Sequence, residues 1–205
     1  LYLPSLRRVR RLSTAQRSDA LFGQDTDQDS YGGYAGQIAW ADWKFLGEKE
    51  MLGAMHTTHF PVKWNEGAID WSFDGEWEKR KVWVVEGESK LPQYAYSKRV
   101  LYIDKENYEV PYSDMYDRAG ELWKIWVNNF SWRKEAFPGS PVKYDEETPF
   151  PSAAVMVDIQ LEHATKAALP SHRFPGEPGW YWHHGDKAGT TEDQFTIAEL
   201  IGSGH

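Results

Sequence analysis

The sequence predicts a mostly-β protein organised around an antiparallel meander, and three features of residues 82–132 predict it. Short runs at Val82 to Val85, Arg99 to Ile103 and Leu122 to Val127 are rich in Val, Ile, Tyr and Trp, which suit a pleated, half-buried surface. Clusters of Pro, Gly, Asp and Asn separate these runs, as turns require. The close links among the later strands are shorter than the dozen or more residues of a parallel crossover, so those strands pair antiparallel.

The turns are specific. Asp104-Lys105-Glu106-Asn107 separates the second run from a weaker strand, Tyr108 to Tyr116, and Asp117-Arg118-Ala119-Gly120 has the Asp and Gly of a type I turn. The strands around them are apolar on both sides. Trp123, Ile125 and Val127 alternate with Leu122, Trp126, Phe130 and Trp132, and Leu101 and Ile103 oppose Val100 and Tyr102. A sheet wet on one side alternates more cleanly, so either something covers the second face or that face lines an apolar cavity.

Length and composition set the outer limits. A chain of 205 residues fits one domain and can bury about 70% of its unfolded surface without a disulfide or metal. It has no Cys, which removes thiol catalysis and thiolate zinc sites. The 11 Trp, 11 Tyr and 9 Phe favour a Trp-rich core, with sugar platforms or ligand walls as the functional alternative. Residues 1–17 hold Arg7, Arg8, Arg10, Arg11 and Arg17 and no acid, so the rest of a chain of net charge −8 stands at −13. An acidic body argues against nucleic acid. No apolar run approaches the roughly 20 residues of a membrane-spanning helix.

In chain order, Leu1 to Leu12 reads as a short apolar strand with an Arg-rich continuation. Its arginines suit an anionic headgroup or an acidic protein surface, or simply charge a strand edge against aggregation. Asp25, Asp27 and Asp29 resemble the start of a calcium loop but lack its Gly at position six and its Glu at twelve, so a solvated acidic loop is expected. Ile38 to Leu46 reads as a strand with Ala39, Ala41, Trp43 and Phe45 on one face, and Gly47 to Glu50 leaves it. Small Ala beside large Trp would leave room on the inner side of a curved sheet. Residues 63–79 read as a long loop or irregular hairpin.

After Trp132, residues 133–151 form a Pro-rich surface connection. Ala153 to Leu161 alternates as a half-buried strand with Ala153, Val155, Val157, Ile159 and Leu161 inward. Thr191 to Ile201 suits one or two helical turns capped by Thr191.

Several motifs resemble one family. YLPSLRRVRRLS, Leu21-Phe22-Gly23 with Asp25, Asp29 to Tyr34 with Gly36, Trp43-Lys44 and Gly47-Glu48-Lys49-Glu50-Met51 come first. Val84-Val85-Glu86, Tyr96 to Asp104, Tyr116-Asp117 with Gly120 and Leu122-Trp123 follow. In this order they resemble the outer-membrane lipoprotein-sorting-like proteins grouped as DUF1329, over most of residues 1–135. The resemblance implies the LolA/LolB type of fold, an incomplete antiparallel β-barrel around an apolar cavity for acyl chains. It also implies export to the bacterial envelope, and often a neighbouring lipid exporter of the resistance-nodulation-division class. Family members run about twice as long, so the resemblance implies a fragment lacking the N-terminal half.

Other chemistries have thinner support. His56 and His59 are three apart, but a zinc site needs further ligands and a helical frame. The His183-His184 doublet is equally bare. Glu76, Glu78, Glu86 and Glu88 near Trp residues bring a glycosidase to mind, yet nothing singles out an acid and a nucleophile.

The sequence therefore predicts a single mainly-β domain, residues 1–205. A curved antiparallel half-barrel with long loops and few helices occupies 1–135, and a Pro-rich connection, one strand and an irregular tail occupy 136–205. The predicted function is non-catalytic binding or transfer of a lipid or acylated molecule in the periplasm or outer membrane, with no cofactor and no metal. The cavity lining is expected at Trp43, Phe45, Trp83, Val85, Leu101, Ile103, Trp123, Ile125 and Val127, and the anionic headgroup or partner at Arg7, Arg8, Arg10 and Arg11. A subunit that assembles through sheet edges is the alternative, followed by a carbohydrate-binding domain.

Overall fold

A computed structural model describes residues 2–3, 8–9, 17–59, 61–135, 143–168 and 192–202, with no side chains described at 2, 3, 8, 9, 193 and 200. Two short strands, β1 (Tyr2–Leu3) and β2 (Arg8–Val9), pair antiparallel. The main sheet comprises β3 (Ala41–Gly53), β6 (Glu78–Ser89), β7 (Lys98–Asp104), β8 (Tyr112–Tyr116), β9 (Leu122–Arg133), β10 (Thr148–Asp158) and β11 (His163–Ala168). Between β3 and β6 the chain forms a hairpin of β4 (Lys63–Trp64) and β5 (Phe73–Asp74). A short helix, α1 (Ile197–Gly202), follows a single 3-10 turn.

The seven strands run in the order β11-β10-β9-β8-β7-β6-β3, every pair antiparallel. From β6 onward this is the predicted meander, because each tight turn returns the chain beside the strand it has just left. At the Asp117 turn the Gly120 amide donates to the Asp117 carbonyl at 3.0 Å, and Asp117 Oδ1 accepts from the Ala119 amide. The Asp104 turn carries more. Asp104 Oδ1 accepts from the Glu106 amide, and the buried Arg80 guanidinium grips the same carboxylate at 2.7 and 2.9 Å.

The sheet is open and strongly coiled. Beyond β3, Ala54 bridges Asn129 of β9 in parallel, although β6, β7 and β8 lie between those strands in the sheet. The Phe130 amide donates to the Ala54 carbonyl and the Thr57 amide to the Phe130 carbonyl. Among the described residues β3 and β11 do not pair with each other, so the barrel stays incomplete.

Each face is covered by a different segment. Ala54, Val62 and Phe73, flanked by Trp64, Trp71 and Trp77, pack on Val127, Ala153 and Val155; this is the hairpin-covered face. On the opposite face Met115, Trp126 and Met156 pack with Tyr94 and Tyr96, and residues 17–37 lie across them. Tyr31 meets Trp126 edge-on, and the Ser30 hydroxyl contacts Met115 Sδ; this is the loop-covered face. Double covering explains why β9 is apolar on both sides.

Several expectations are corrected. The Asp25-Asp27-Asp29 loop is buried: these residues are 6%, 0% and 0% exposed. Buried carboxylates need hydrogen-bond donors, and each has them. Asp27 accepts from the Asp29 amide and from the hydroxyls of Ser30 and Tyr96. Asp29 accepts from Arg17 Nε and the Tyr94 hydroxyl, while Asp25 contacts Thr165 and His163 of β11. β3 runs through Gly47 to Gly53, because a bulge at Leu46 absorbs the glycine at φ +131°. β10 begins among the prolines, and Met156 and Asp158 on its supposed wet side are buried, whereas Ile159 and Leu161 sit exposed in a turn.

Candidate functional site

Strand register decides which predicted lining residues share a surface, because directly opposed residues point the same way. Phe45 opposes Val85, and Val85 opposes Leu101. The next row holds Trp83 and Ile103, and the row on the other side holds Trp43, Gly87 and Arg99. Trp43, Phe45, Trp83, Val85, Leu101 and Ile103 therefore form one strip on the loop-covered face of β3, β6 and β7, about 14 Å along the strands and 10 Å across.

The other three predicted residues lie elsewhere. Ile125 and Val127 point to the hairpin-covered face, where Val127 is a core residue 2% exposed and Ile125 packs half-buried against that core. Trp123 has no partner on β8, where Met115 opposes Lys124 and Tyr116 opposes Leu122. That bulge turns its ring onto Tyr96, 5.5 Å away, and its Nε1 donates to Asp158. One concave surface joining all nine is not what the register builds. Among the predicted headgroup arginines, Arg7, Arg10 and Arg11 lie outside the described residues and Arg8 has only its backbone described. The His183-His184 doublet also lies outside them.

The strip is where the loop-covered face loses its cover. Residues 17–37 lie over β7 to β11 through Arg99, Lys124 and Thr165, leaving Phe45 61% exposed and Trp83, Val85 and Ile103 half-buried. Leu101 is buried at the inner margin. Tyr108, which the sequence did not single out, extends the strip. It is 69% exposed at φ 64°, with its ring 5.7 Å from Trp83. A left-handed conformation costs a non-glycine residue on the order of 1 kcal/mol, and here the Tyr108 amide is held by the Asp104 carbonyl. Lys105 lies over the Trp83 ring and pairs with Glu48, forming a charged rim.

At its other end the strip opens into a shallow cleft between Tyr34, Trp40, Trp43, Leu91, Tyr94 and Arg99, about 320 Å³ including the space at its mouth. Gly87 is its floor. A Cβ there would lie 2.5 Å from the Trp43 ring, so the ring lies flat only because the residue is glycine. Arg99 is 4% exposed, sits between the Tyr34 and Tyr96 rings, and donates to the Gly33 carbonyl and the Ser30 and Ser113 hydroxyls. Burial, and then the Asp27 charge, push the Tyr96 hydroxyl far above its ordinary range, and burial does the same to Tyr94.

The remaining titratable candidates have local partners. His56 contacts Glu78 at 2.6 Å and stacks on Trp132, and Glu76 accepts from the Thr58 hydroxyl and amide. Among the described residues no group of three His, Asp or Glu is placed to hold a metal.

Known structures resemble this fold over much of the chain. A domain from Vibrio parahaemolyticus, described as belonging to an outer membrane lipoprotein-sorting protein, superposes with TM-score 0.59 at 18% identity, covering 98% of this chain and 63% of its own. A DUF1329 protein from Desulfovibrio piger gives 0.51 at 16%, covering 82% and 54%. A LolA superfamily protein from Nitrosomonas europaea gives 0.45 at 16%, covering 82% and 58%. The chain thus spans less than two thirds of the length of each. No curated protein matches it. The sequence matches the family described as "Protein of unknown function (DUF1329)" over residues 1–200, and the chain belongs to that family.

Proposed function

We propose that this protein is a non-catalytic binder or carrier of a lipid or acylated molecule in the bacterial cell envelope, and that the chain lies along the strip of β3, β6 and β7. One observation carries the reading: Phe45 and Tyr108 are exposed and Trp83, Val85 and Ile103 half-buried on one apolar strip, while both faces of β8 to β10 are covered. Contiguous exposed apolar surface marks a binding surface more often than chance. The fold it shares with a domain described as lipoprotein-sorting supports the same reading. An envelope lipid exporter of the resistance-nodulation-division class is the partner that the family resemblance suggests.

Apolar transfer supplies the energy. At about 0.8 kcal/mol per buried CH₂, a dozen methylenes contribute about 10 kcal/mol before ordering costs, enough for micromolar binding. The buried carboxylates are engaged in structural hydrogen bonds, which fits a passive role. Native mass spectrometry of gently purified protein should show a lipid adduct, and a fluorescent fatty acid should bind at micromolar concentration and be lost in Phe45→Glu. If no adduct appears and the probe fails to bind the unaltered protein, the reading is wrong.

A second reading has its own observation. β3 runs for 13 residues as an edge strand paired only with β6 among the described residues, and such edges template pairing with another chain. Light scattering showing a monomer at micromolar concentration would count against it.

A further inference from the structure

The strip ends beside a buried positive charge. Arg99 stands two residues before Leu101 on β7, opposite Gly87, and lines the cleft together with Trp43 and Ser89. It is 4% exposed, yet among the described residues no carboxylate pairs with it. Its neighbours differ in this respect, since Lys98 pairs with Glu86 at 2.9 Å and Arg17 with Asp29 at 2.5 Å. Arg99 donates to the Gly33 carbonyl and to the hydroxyls of Ser30 and Ser113, and it reaches the Asp27 carboxylate only through Ser30. Those three bonds leave two of the five guanidinium donors unspent, Nε and one hydrogen on Nη2. Ser89 adds another donor, because its oxygen accepts from the Leu91 amide while its hydrogen goes to no group among the described residues. No Asp or Glu lines the cleft.

Size decides what can enter. The enclosed part of the cleft is about the size of one water molecule, and its indoles are already covered, with Arg17 5.7 Å over Trp40 and the Trp43 ring between Gly87 and Tyr34. A ligand ring has no free face to stack on, but a single oxygen fits. Burying a cation without a counter-charge is costly, and a hydrogen bond between ionised groups is about twice as strong as one between neutral groups. An anionic oxygen therefore gains here what a neutral hydroxyl does not. The next row of the strip, Phe45, Val85 and Leu101, begins about 7 Å along the strands, so a chain attached to that oxygen passes directly onto apolar surface.

We propose that the strip takes a free fatty acid, with one carboxylate oxygen entering the cleft to accept from Arg99 and the Ser89 hydroxyl, and with the chain running over Val85 toward Trp83. This names the ligand class of the acyl site and rests on that reading.

Calorimetry with decanoate, 1-decanol and acetate, each below its aggregation limit, tests the proposal. Decanoate should bind at least about tenfold more tightly than decanol, as expected when a neutral contact becomes a charge-assisted one, and acetate more weakly still because it has no chain for the strip. In Arg99→Gln the ratio of decanoate to decanol affinity should fall below about threefold. A readout on the unaltered protein covers the case in which that variant does not fold: the Arg99 Nε–H signal in nitrogen-15 NMR should shift on saturation with decanoate and stay in place with decanol. Equal affinities for decanoate and decanol, or an Nε–H signal that decanoate leaves unmoved, overturn the carboxylate assignment and leave the acyl strip standing. Acetate binding as tightly as decanoate would make the cleft a site for small carboxylates and end the fatty-acid assignment. If neither decyl compound binds, the strip reading itself fails and the fatty-acid proposal falls with it.

Discussion

The Tyr96 hydroxyl donates to Asp27 Oδ2 at 2.5 Å across 69 residues of sequence, and both side chains are shut off from solvent. This bond fastens residues 17–37 to the loop-covered face. Replacing Asp27 with Ala strands the Asp29 amide and the hydroxyls of Ser30 and Tyr96, so Asp27→Ala should lose about 3–5 kcal/mol in urea unfolding. Tyr96→Phe removes one donor and should lose about 1–3 kcal/mol. A loss below 0.5 kcal/mol for both, as at ordinary surface sites, would mean that the loop is not fastened there.

Alkaline pH should weaken the fold. Burial holds Tyr94, Tyr96 and Tyr102 well above their ordinary range and pushes Tyr112 up to about 12, whereas unfolded tyrosine titrates near 10. Groups with raised folded values contribute their full stability below pH 10 and lose it as pH rises toward those values. Urea midpoints should therefore be level in this respect from pH 8 to 9.5 and fall from about pH 10 upward. A midpoint unchanged at pH 11.5 would contradict the burial of these hydroxyls.

The division of the predicted lining between core and strip has a direct mutational signature. Ile125→Ala removes a partly buried side chain packed on the hairpin-covered core and should cost about 1–3 kcal/mol. Phe45→Ser removes a side chain 61% exposed and should stay within about 0.5 kcal/mol, while weakening acyl-probe binding. Similar stability losses in the two variants would place Phe45 in the core and remove it from the site.

Tyr108 offers a trade between stability and binding. Asn tolerates the left-handed backbone better than Tyr, so Tyr108→Asn should leave stability unchanged or raise it by up to about 1 kcal/mol. The same change removes the ring beside Trp83 and should weaken acyl binding several-fold. Lower stability with unchanged binding would make Tyr108 a packing residue only.

The strands and turns were legible because local rules write them. Asp117 and Gly120 mark their turn by type, and Val, Ile and Trp mark the strands on either side. The faces were harder to read. β9 carries apolar residues on both sides because two remote segments cover it, and periodicity cannot say which side is cavity. The burial of Asp25, Asp27 and Asp29 was hidden for the same reason, since Tyr94, Tyr96 and Thr165 lie 65 to 140 residues away. Likewise nothing near Asp104 announced Arg80 of β6. Gly47 looked like a stop because a bulge and a turn use the same residue. Tyr108 carried no signal beyond its place after a turn.

Photolabelling with a diazirine-bearing fatty acid, followed by peptide mapping, tests the acyl strip most directly. Labels should fall on β3 near Phe45 and in the stretch from Trp83 to Tyr108, and should be displaced by excess unlabelled fatty acid. Labels concentrated on Ile125, Val127 or the hairpin of residues 63–74, or no displaceable label at all, would contradict the assignment of the acyl site to this strip.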